Sequence, residues 1–231
     1  MSIKITLLGL IAKINLTHCM LQIKSFVFSP IQENTYILYN EFNECIIIDP
    51  GCYFDEEKDA LSAFITEMKL LPKMLLNTHC HLDHIFGNKY VADKYNLTLQ
   101  IHKDEKKMLD MAPASGLMYN LPFDNYLGEI TYLAEGKKLN LGSDTLDIIL
   151  TPGHSPGSLS FYCAHDQFVI SGDALFYQSI GRTDLPYGDH QTLLRAIREK
   201  LFVLPAETKV FSGHGQETTI GFEKENNPFL V

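Results

Sequence analysis

His79-Cys80-His81-Leu82-Asp83-His84 places three imidazoles and a carboxylate within six residues and is the most informative part of this sequence. It follows the segment 73–78, whose apolar residues predict a short buried strand that runs into a loop. Because alternate side chains of an extended segment point the same way, His79 and His81 can hold one metal ion together. Asp83 and His84 lie beyond a turn and can face a second ion. The stretch therefore predicts a metal site at a strand end.

Three more short motifs carry candidate ligands, and each follows a predicted strand. Residues 151–158 (TPGHSPGS) hold His154 in a loop made rigid by proline and glycine, and 171–174 (SGDA) supply Asp173. Residues 212–215 (SGHG) place His214 between glycines, which permit close backbone approach. Loops at strand ends are where functional sites are usually assembled. The predicted metal ligands are His79, His81, Asp83, His84, His154, Asp173 and His214.

The number of candidate ligands favours two ions. One catalytic zinc ion needs only three protein ligands and a water, so this set of imidazoles and carboxylates predicts a pair of divalent ions. We assign His79, His81 and His154 to the first ion, Asp83, His84 and His214 to the second, and Asp173 to a bridging position. Asp83 and Asp173 are also the predicted catalytic residues. Zinc is expected, with iron or manganese as alternatives, because these ligands accept all three metals.

Composition limits the class of protein. The 231 residues are 45% hydrophobic with a formal net charge of −9, which is typical of a soluble globular protein and argues against nucleic-acid or membrane-surface partners. No apolar stretch is long enough to predict a spanning helix. The five cysteines are odd in number and lack paired spacing, which favours a reducing compartment and predicts a cytoplasmic location.

The remaining pattern predicts alternating strands and helices without a linker. Strands are predicted at 22–28, 35–39, 45–49, 97–101, 138–141, 145–150, 159–162, 168–171 and 208–212. Helices are predicted at 55–70, 84–95, 103–111 and 191–204, and a long loop at 112–126. These elements predict one domain over residues 21–231, with two sheets covered by helices. Residues 1–20 are interpreted as a leader or an extra N-terminal segment, with a mis-assigned start or a short added strand as alternatives.

The motifs occur in an order that resembles a known family. Thr-His-x-His-x-Asp-His, Pro-Gly-His-Ser-Pro-Gly-Ser, Gly-Asp-Ala-Leu-Phe and Gly-His-Gly together resemble the metallo-β-lactamase superfamily. Residues 179–186 and 218–230 resemble the glyoxalase II-like hydroxyacylglutathione hydrolases. The resemblance covers about residues 21–230 and implies an α/β fold, a four-layer αββα sandwich with the two-metal site at one edge of its sheets. Gly215 lies near the last residue, so the chain is expected to resemble the short members that lack a glutathione-contacting helical domain.

The resemblance also implies an activity. It predicts a metal-dependent hydrolase that cleaves a small 2-hydroxyacyl thioester, such as S-lactoylglutathione, by a metal-bound hydroxide. The alternative is a persulfide dioxygenase with one iron on His79, His154 and Asp173. A second alternative is a metal-binding protein without catalytic activity.

Three residues outside the ligand set are candidates with open alternatives. Arg182 and Tyr187 are predicted to bind substrate, but Arg182 could instead pair with Asp184 or Asp189, and Tyr187 could serve only in aromatic packing. Asp49 ends a predicted strand and is expected to orient a ligand histidine or to cap its own turn rather than to bind metal itself.

Overall fold

The structure, a computed structural model, describes residues 20–231 and contains two six-stranded sheets. The first sheet comprises β1 (Gln22–Phe28), β2 (Glu33–Tyr39), β3 (Glu44–Ile48), β4 (Leu71–Leu76), β5 (Leu99–His102) and β6 (Ile130–Leu133). The second comprises β7 (Lys138–Leu141), β8 (Asp144–Leu150), β9 (Leu159–Cys163), β10 (Phe168–Gly172), β13 (Lys209–Ser212) and β14 (Thr218–Thr219). Two short strands, β11 (Leu175–Phe176) and β12 (Ser179–Ile180), form a separate hairpin.

Both sheets are mixed. In the first, β1, β2 and β3 are antiparallel neighbours, and β3, β4, β5 and β6 then run parallel in that order. In the second, the order is β14, β13, β10, β9, β8 and β7, and only β10 and β13 run parallel. Because parallel strands end at the same edge, the loops that follow β3, β4, β10 and β13 can meet there.

Within residues 20–231, six α-helices pack on the sheets. They are α1 (Asp55–Glu67), α2 (Leu82–Ile85), α3 (Asn88–Tyr95), α4 (Lys106–Met118), α5 (His190–Ala196) and α6 (Ile220–Asn226). Among the described residues, every helix is too short or too polar to cross a lipid bilayer. Four cysteines at positions 45, 52, 80 and 163 are buried as free thiols.

Alternation along the central strands builds the four layers. Ile46 and Ile48 of β3 pack between the two sheets, whereas Ile47 packs under the helices of the first sheet. In β10, Ile170 faces the first sheet and Val169 faces the cluster that contains α5. Buried strands with apolar residues on both faces are expected where a sheet is covered on both sides. The predicted αββα sandwich is therefore confirmed.

The single helix predicted over 84–95 is wrong, because the chain forms α2 and α3 with a break between them. At the break the Gly87 amide donates a hydrogen bond to the Pro50 carbonyl at 2.7 Å. A side chain at position 87 would collide with the Cys52 thiol, so glycine is needed for this close approach. The break separates the ligand-bearing turn from the helix that follows it.

The loop predicted over 112–126 is also wrong in its first half, because α4 continues to Met118 through Pro113. Proline removes the amide that would bond the Leu109 carbonyl, which is a normal reason for a helix to end. Here the Asn125 side chain donates to that carbonyl at 2.8 Å and replaces the missing partner. The tertiary contact offsets the local penalty, and the predicted helix at 103–111 becomes a 3₁₀ turn at Lys103–Glu105 followed by α4.

Other differences are short elements that were not predicted and a change of helix type. The sequence pattern missed β6, β11, β12, β14 and α6, most of which are short and lack a clear period. The helix predicted at 191–204 is α5 continued by a π-helical segment at Ile197–Leu201. The predicted leader falls, apart from Met20, outside the described residues.

Candidate metal centre

The seven predicted ligands follow the ends of four strands, five of them on loops and Asp83 and His84 in the short helix α2. The residues His79, His81, Asp83 and His84 come after β4, and His154 follows β8. Asp173 follows β10 directly, and His214 follows β13 after one glycine. The structure brings these side chains together at one edge of the sandwich. Among the described residues, His79, His81 and His154 form one group of possible metal ligands, Asp83, His84 and His214 form a second, and Asp49, His79 and His84 form a third that overlaps both.

Cluster 1 consists of His79, His81 and His154. The Nδ1 atom of His81 lies 2.8 Å from Nε2 of His154, and that Nε2 lies 3.2 Å from Nε2 of His79. The other ring nitrogen of His154, Nδ1, donates to the Arg182 carbonyl at 2.7 Å. Because a carbonyl only accepts, this bond leaves Nε2 of a neutral ring free to bind a cation.

Cluster 2 consists of Asp83, His84 and His214. The Nε2 atom of His214 lies 3.1 Å from Oδ2 of Asp83, and Nε2 of His84 lies 3.8 Å from the same oxygen. Nδ1 of His214 donates to the Gln32 carbonyl at 3.0 Å, so its Nε2 also faces the cluster in the unprotonated form of a neutral ring. The membership of both clusters coincides with the predicted division of ligands between two ions.

Asp173 lies between the two clusters. Its Oδ1 is 3.4 Å from Nε2 of His84, and its Oδ2 is 3.4 Å from Nε2 of His154 and 3.7 Å from Nε2 of His214. One carboxylate oxygen therefore faces cluster 2 alone, while the other lies within reach of both clusters. This is the geometry required of a bridging ligand.

The site fits a pair of divalent cations. Buried polar atoms normally have hydrogen-bond partners, yet Nε2 of His84 and Oδ1 of Asp173 are buried without one. In cluster 1, Nε2 of His154 lies within 3.2 Å of ring nitrogens of both His79 and His81. A neutral imidazole has one N–H, and His154 already donates its own to the Arg182 carbonyl, so these three nitrogens cannot all be paired with one another. A cation at each cluster would satisfy these groups, and the donors are the nitrogen and oxygen ligands that zinc, iron and manganese accept.

Electrostatics differ between the clusters. Burial lowers the pKa of His79 and of His154 and lowers that of His81 to about 3, so cluster 1 is neutral and ready to bind a cation. Burial would also lower the pKa of His84, but the carboxylates of Asp173 and Asp83 outweigh it and raise that pKa well above its ordinary value.

His214 behaves like His84. Burial opposes protonation, but a hydrogen bond to Asp83 and the charge of Asp173 raise its pKa. In the same way, the neighbouring imidazoles outweigh burial and hold the pKa of Asp173 well below its ordinary value. Without metal, the imidazoles of cluster 2, His84 above all, therefore favour the protonated form, and a binding cation must displace these protons.

Metal uptake is expected to release protons and to become tighter as pH rises. The pKa of His84 is raised well above its ordinary value, so this ring carries a proton at neutral pH in the metal-free protein, and the pKa of His214 is shifted in the same direction, whereas a metal ligand must be deprotonated. Calorimetric zinc titration in two buffers of different ionisation enthalpy measures the released protons directly. Equal apparent enthalpies in the two buffers at pH 7 would contradict this charge assignment.

Asp49 connects His84 to the rest of the fold. Its carboxylate accepts hydrogen bonds from the Thr78 amide at 2.7 Å, the Thr78 hydroxyl at 2.6 Å, the Asn77 side chain at 3.2 Å and Nδ1 of His84 at 3.1 Å. Because Nδ1 is engaged, Nε2 of His84 points toward Asp173. These contacts match the expected role of Asp49 in orienting His84, and Asp49 also lies with His79 and His84 in a third group of possible metal ligands.

The segment 182–189 is bonded to the His154 loop at both ends. Besides the bond from His154 to the Arg182 carbonyl, the Asp189 amide donates to the Gly153 carbonyl at 2.7 Å. The Arg182 side chain is exposed and makes a bidentate pair with Asp184, at 2.7 and 2.8 Å. The exposed ring of Tyr187 carries the Lys107 ammonium 4.3 Å from its centroid. Both predicted substrate-binding side chains therefore project from the segment that orients His154.

Replacing Gly153 by alanine is expected to lower the free energy of unfolding by about 3 kcal/mol, for two reasons. Gly153 has a φ of +128°, which alanine rarely adopts, and the added Cβ would collide with the Leu193 backbone. Gly136→Ala is the matched control, because its φ is +75° and nothing lies within 4 Å of the added Cβ. Urea unfolding of both variants measures the difference. Equal losses in the two variants would show that the collision is relieved at no cost.

Two buried carboxylates near the site were missed by sequence reasoning. Glu33 is fully buried, and its Oε1 lies 3.9 Å from Nδ1 of His84 without a hydrogen bond. The signal for it was a run of polar residues, 33–35, opening a strand that is otherwise apolar. Glu105 is also fully buried and accepts a hydrogen bond from the Cys80 amide at 2.8 Å. Burial, followed by the charge of Glu105, raises the pKa of the Cys80 thiol. The thiol therefore stays protonated and uncharged, although it lies between His79 and His81 in the sequence.

A two-sheet sandwich with histidine and aspartate ligands at strand ends defines a class of metallo-hydrolase folds, and comparison with known proteins identifies the family. The model of the metallo-beta-lactamase superfamily matches residues 29–214. The chain therefore belongs to the metallo-β-lactamase superfamily, a superfamily of metallo-hydrolases.

Named relatives cover most of the chain. The probable metallo-hydrolase YqgX of Bacillus subtilis is 42% identical over 202 residues, which is 87% of this chain and 93% of the relative. The hydroxyacylglutathione hydrolase GloC of Haemophilus influenzae is 35% identical over 86% of this chain and 93% of its own length. This similarity supports the glyoxalase II-like resemblance.

Solved structures show the same fold. The BLEG-1 B3 metallo-beta-lactamase is 41% identical with a TM-score of 0.84, covering 91% of this chain and all of its own. TTHA1623, crystallised in a di-iron-bound form, is 33% identical with a TM-score of 0.81, covering 90% of this chain and all of its own.

Proposed function

We propose that this protein is a two-metal thioesterase that hydrolyses small 2-hydroxyacyl thioesters such as S-lactoylglutathione. The observation that carries the proposal is the position of Asp173 between two ligand clusters, with a carboxylate oxygen within 3.4 Å of a histidine in each. The similarity to GloC of Haemophilus influenzae supports the choice of thioester over other acyl substrates. The proposed ligands are the six side chains of clusters 1 and 2 together with Asp173.

The residues of the chain have separate tasks in this proposal. When bound, divalent ions of this kind lower the pKa of water to about 7, which makes hydroxide available, and polarise the acyl carbonyl. Asp83 and Asp173 hold negative charge beside the reaction centre and orient the nucleophile. Asp49 and the Arg182 carbonyl fix the rings of His84 and His154, so that the ligand nitrogens need no reorientation during turnover.

The segment 182–189 is the proposed substrate-binding edge. The Lys107 ammonium, which lies over Tyr187, provides positive charge on a chain with a net charge of −9, and the Arg182 guanidinium would add to it by exchanging its pair with Asp184 for a substrate carboxylate. An acyl thioester of glutathione carries carboxylates that such cations can bind. We propose that this edge binds the thiol portion of the substrate, since the ligands occupy the reaction centre itself.

A persulfide dioxygenase is the second candidate function. One observation favours it: His79, His154 and Asp173 form a compact set of two histidines and one carboxylate, with Nε2 of His154 within 3.4 Å of both other residues. Such a set is typical of mononuclear iron oxygenases. In this case Asp83, His84 and His214 would hold no ion, and their substitution would leave turnover intact.

The experiment that tests the proposal compares three substrates on one preparation. Metal-replete protein is assayed for hydrolysis of S-lactoylglutathione, for hydrolysis of a β-lactam, and for oxygen uptake with glutathione persulfide. We expect thioester hydrolysis that a chelator removes and added zinc restores. β-Lactam hydrolysis or oxygen uptake in place of thioester hydrolysis would contradict the proposal.

A further inference from the structure

Glu105 lies on a connection that contributes no candidate metal ligand, yet its carboxylate contacts two loops that do. It is the last residue of the 3₁₀ turn between β5 and α4. Its Oε2 accepts a hydrogen bond from the Cys80 amide at 2.8 Å, and Cys80 lies between His79 and His81. Its Oε1 accepts from the Ser155 hydroxyl at 2.6 Å and the Gly157 amide at 2.7 Å, in the loop that carries His154.

The carboxylate is held closely by its surroundings. Glu105 is fully buried, and Gly157 packs so near that an added Cβ would lie 3.1 Å from Cγ of Glu105 and 2.8 Å from Nδ1 of His102. In all three hydrogen bonds the contacting group donates and the carboxylate accepts. Because an ionised carboxylate is acceptor-only, this environment matches the charged form of Glu105.

We propose that Glu105 is a positioning residue for the first metal ion, because it fixes the distance between the loop of His79 and His81 and the loop of His154. This inference rests on the proposed metal site and extends it to a residue outside the ligand set. Hydrogen bonds to an ionised carboxylate are roughly twice as strong as those between neutral groups. The three hydrogen bonds to Glu105 therefore fix the spacing between the two loops. Cluster 2 receives no bond from Glu105 and depends on Asp49 instead.

Glutamine at position 105 would have the same shape but could not make the same bridge. If its amide nitrogen replaced Oε2, it would face the Cys80 amide, and two donors would meet. If it replaced Oε1, it would face the Gly157 amide with the same result. In either orientation one backbone amide, that of Cys80 or that of Gly157, loses its acceptor, although the Ser155 hydroxyl can turn to accept from the glutamine nitrogen. Glu105→Gln therefore weakens the bridge between the loops without opening a cavity.

Glu223 offers a matched control. It is also fully buried, and its carboxylate accepts three hydrogen bonds, from the Gln178 amide, the Thr218 hydroxyl and the Asn227 side chain. It contacts none of the seven ligands. Glu223→Gln makes the same chemical change at a similar structural cost, so it separates loss of stability from loss of metal positioning.

The test measures the two metal affinities of each variant by chelator competition with zinc, and the ligand geometry by the absorption spectrum of the cobalt(II)-loaded protein. We expect Glu105→Gln to lose about 10- to 100-fold in affinity for one ion, as is typical when a group that orients a ligand is removed, with an altered cobalt spectrum. The second ion should bind as in the parent protein. Glu223→Gln should bind both ions as the parent does.

Parental affinities for both ions in Glu105→Gln would overturn the proposal, and so would equal losses in the two glutamine variants. If Glu105→Gln does not fold, Ser155→Ala removes one donor only and must weaken the same single ion. The two failures can be told apart. A parent protein that binds no ion would refute the proposed function, whereas a parent and a Glu105→Gln variant that both bind two ions equally well would refute only the role of Glu105.

Discussion

Replacing Asp173 by alanine is expected to reduce thioester hydrolysis by about a thousandfold. The carboxylate faces His84, His154 and His214, so its loss removes the one group that reaches both clusters. A bound metal supplies several kcal/mol of transition-state stabilisation, and about 4 kcal/mol corresponds to this factor in rate. Steady-state kinetics with S-lactoylglutathione and saturating zinc measure the effect.

Asp147→Ala is the control for that variant. Asp147 lies in the second sheet on β8 and pairs with Lys138 at the surface at 3.1 Å, away from every candidate ligand. Surface substitutions of this kind change stability by less than about 0.5 kcal/mol, so activity should be unchanged. An Asp173→Ala variant that keeps more than a tenth of the parent rate would show that the two clusters act without a bridge.

Replacing His84 by alanine is expected to reduce the metal content from two ions to one and to lower hydrolysis by about a hundredfold or more. His84 is fully buried in cluster 2, and its Nε2 lies 3.4 Å from Asp173. Elemental analysis and thioester kinetics on the same sample measure both effects. This variant separates the two candidate functions, because the oxygenase needs only the ion of His79, His154 and Asp173.

His165→Ala is the control for the second variant. His165 lies at the surface, where it pairs with Asp166 at 2.7 Å, and it contacts none of the ligands. It should retain two ions and the parental rate. Near-parental hydrolysis by His84→Ala with one bound ion would argue that a single ion carries the reaction.

The sequence predicted the ligands because each one follows a strand end, where local signals are strong. The alternation of His79 and His81 and the turn before Asp83 separate the donors of that stretch into two pairs, and in the structure each pair lies with one of the two more distant histidines, His154 and His214. Strand ends are marked by glycine and proline next to apolar runs, so His154 and His214 could also be found from local pattern. Metal occupancy of the clusters stays a prediction.

The supporting carboxylates could not be predicted from local pattern. Glu105 accepts bonds from loops 25 and 52 residues away, and Asp49 from residues 29 and 35 residues away. Their roles depend on how distant strands end at one edge of the sandwich. The same reason explains the wrong loop prediction at 112–126, where Asn125 compensates for Pro113 through a contact that no helix propensity contains.

We propose that two ions, held by clusters 1 and 2 and bridged by Asp173, hydrolyse a thioester. Titration of metal-free protein with zinc, with S-lactoylglutathione hydrolysis followed at each step, tests this most directly. We expect little activity with one equivalent, full activity with two, and loss of both ions and of activity with chelator. Full activity at one equivalent, or one bound iron with persulfide-dependent oxygen uptake and no hydrolysis, would contradict it.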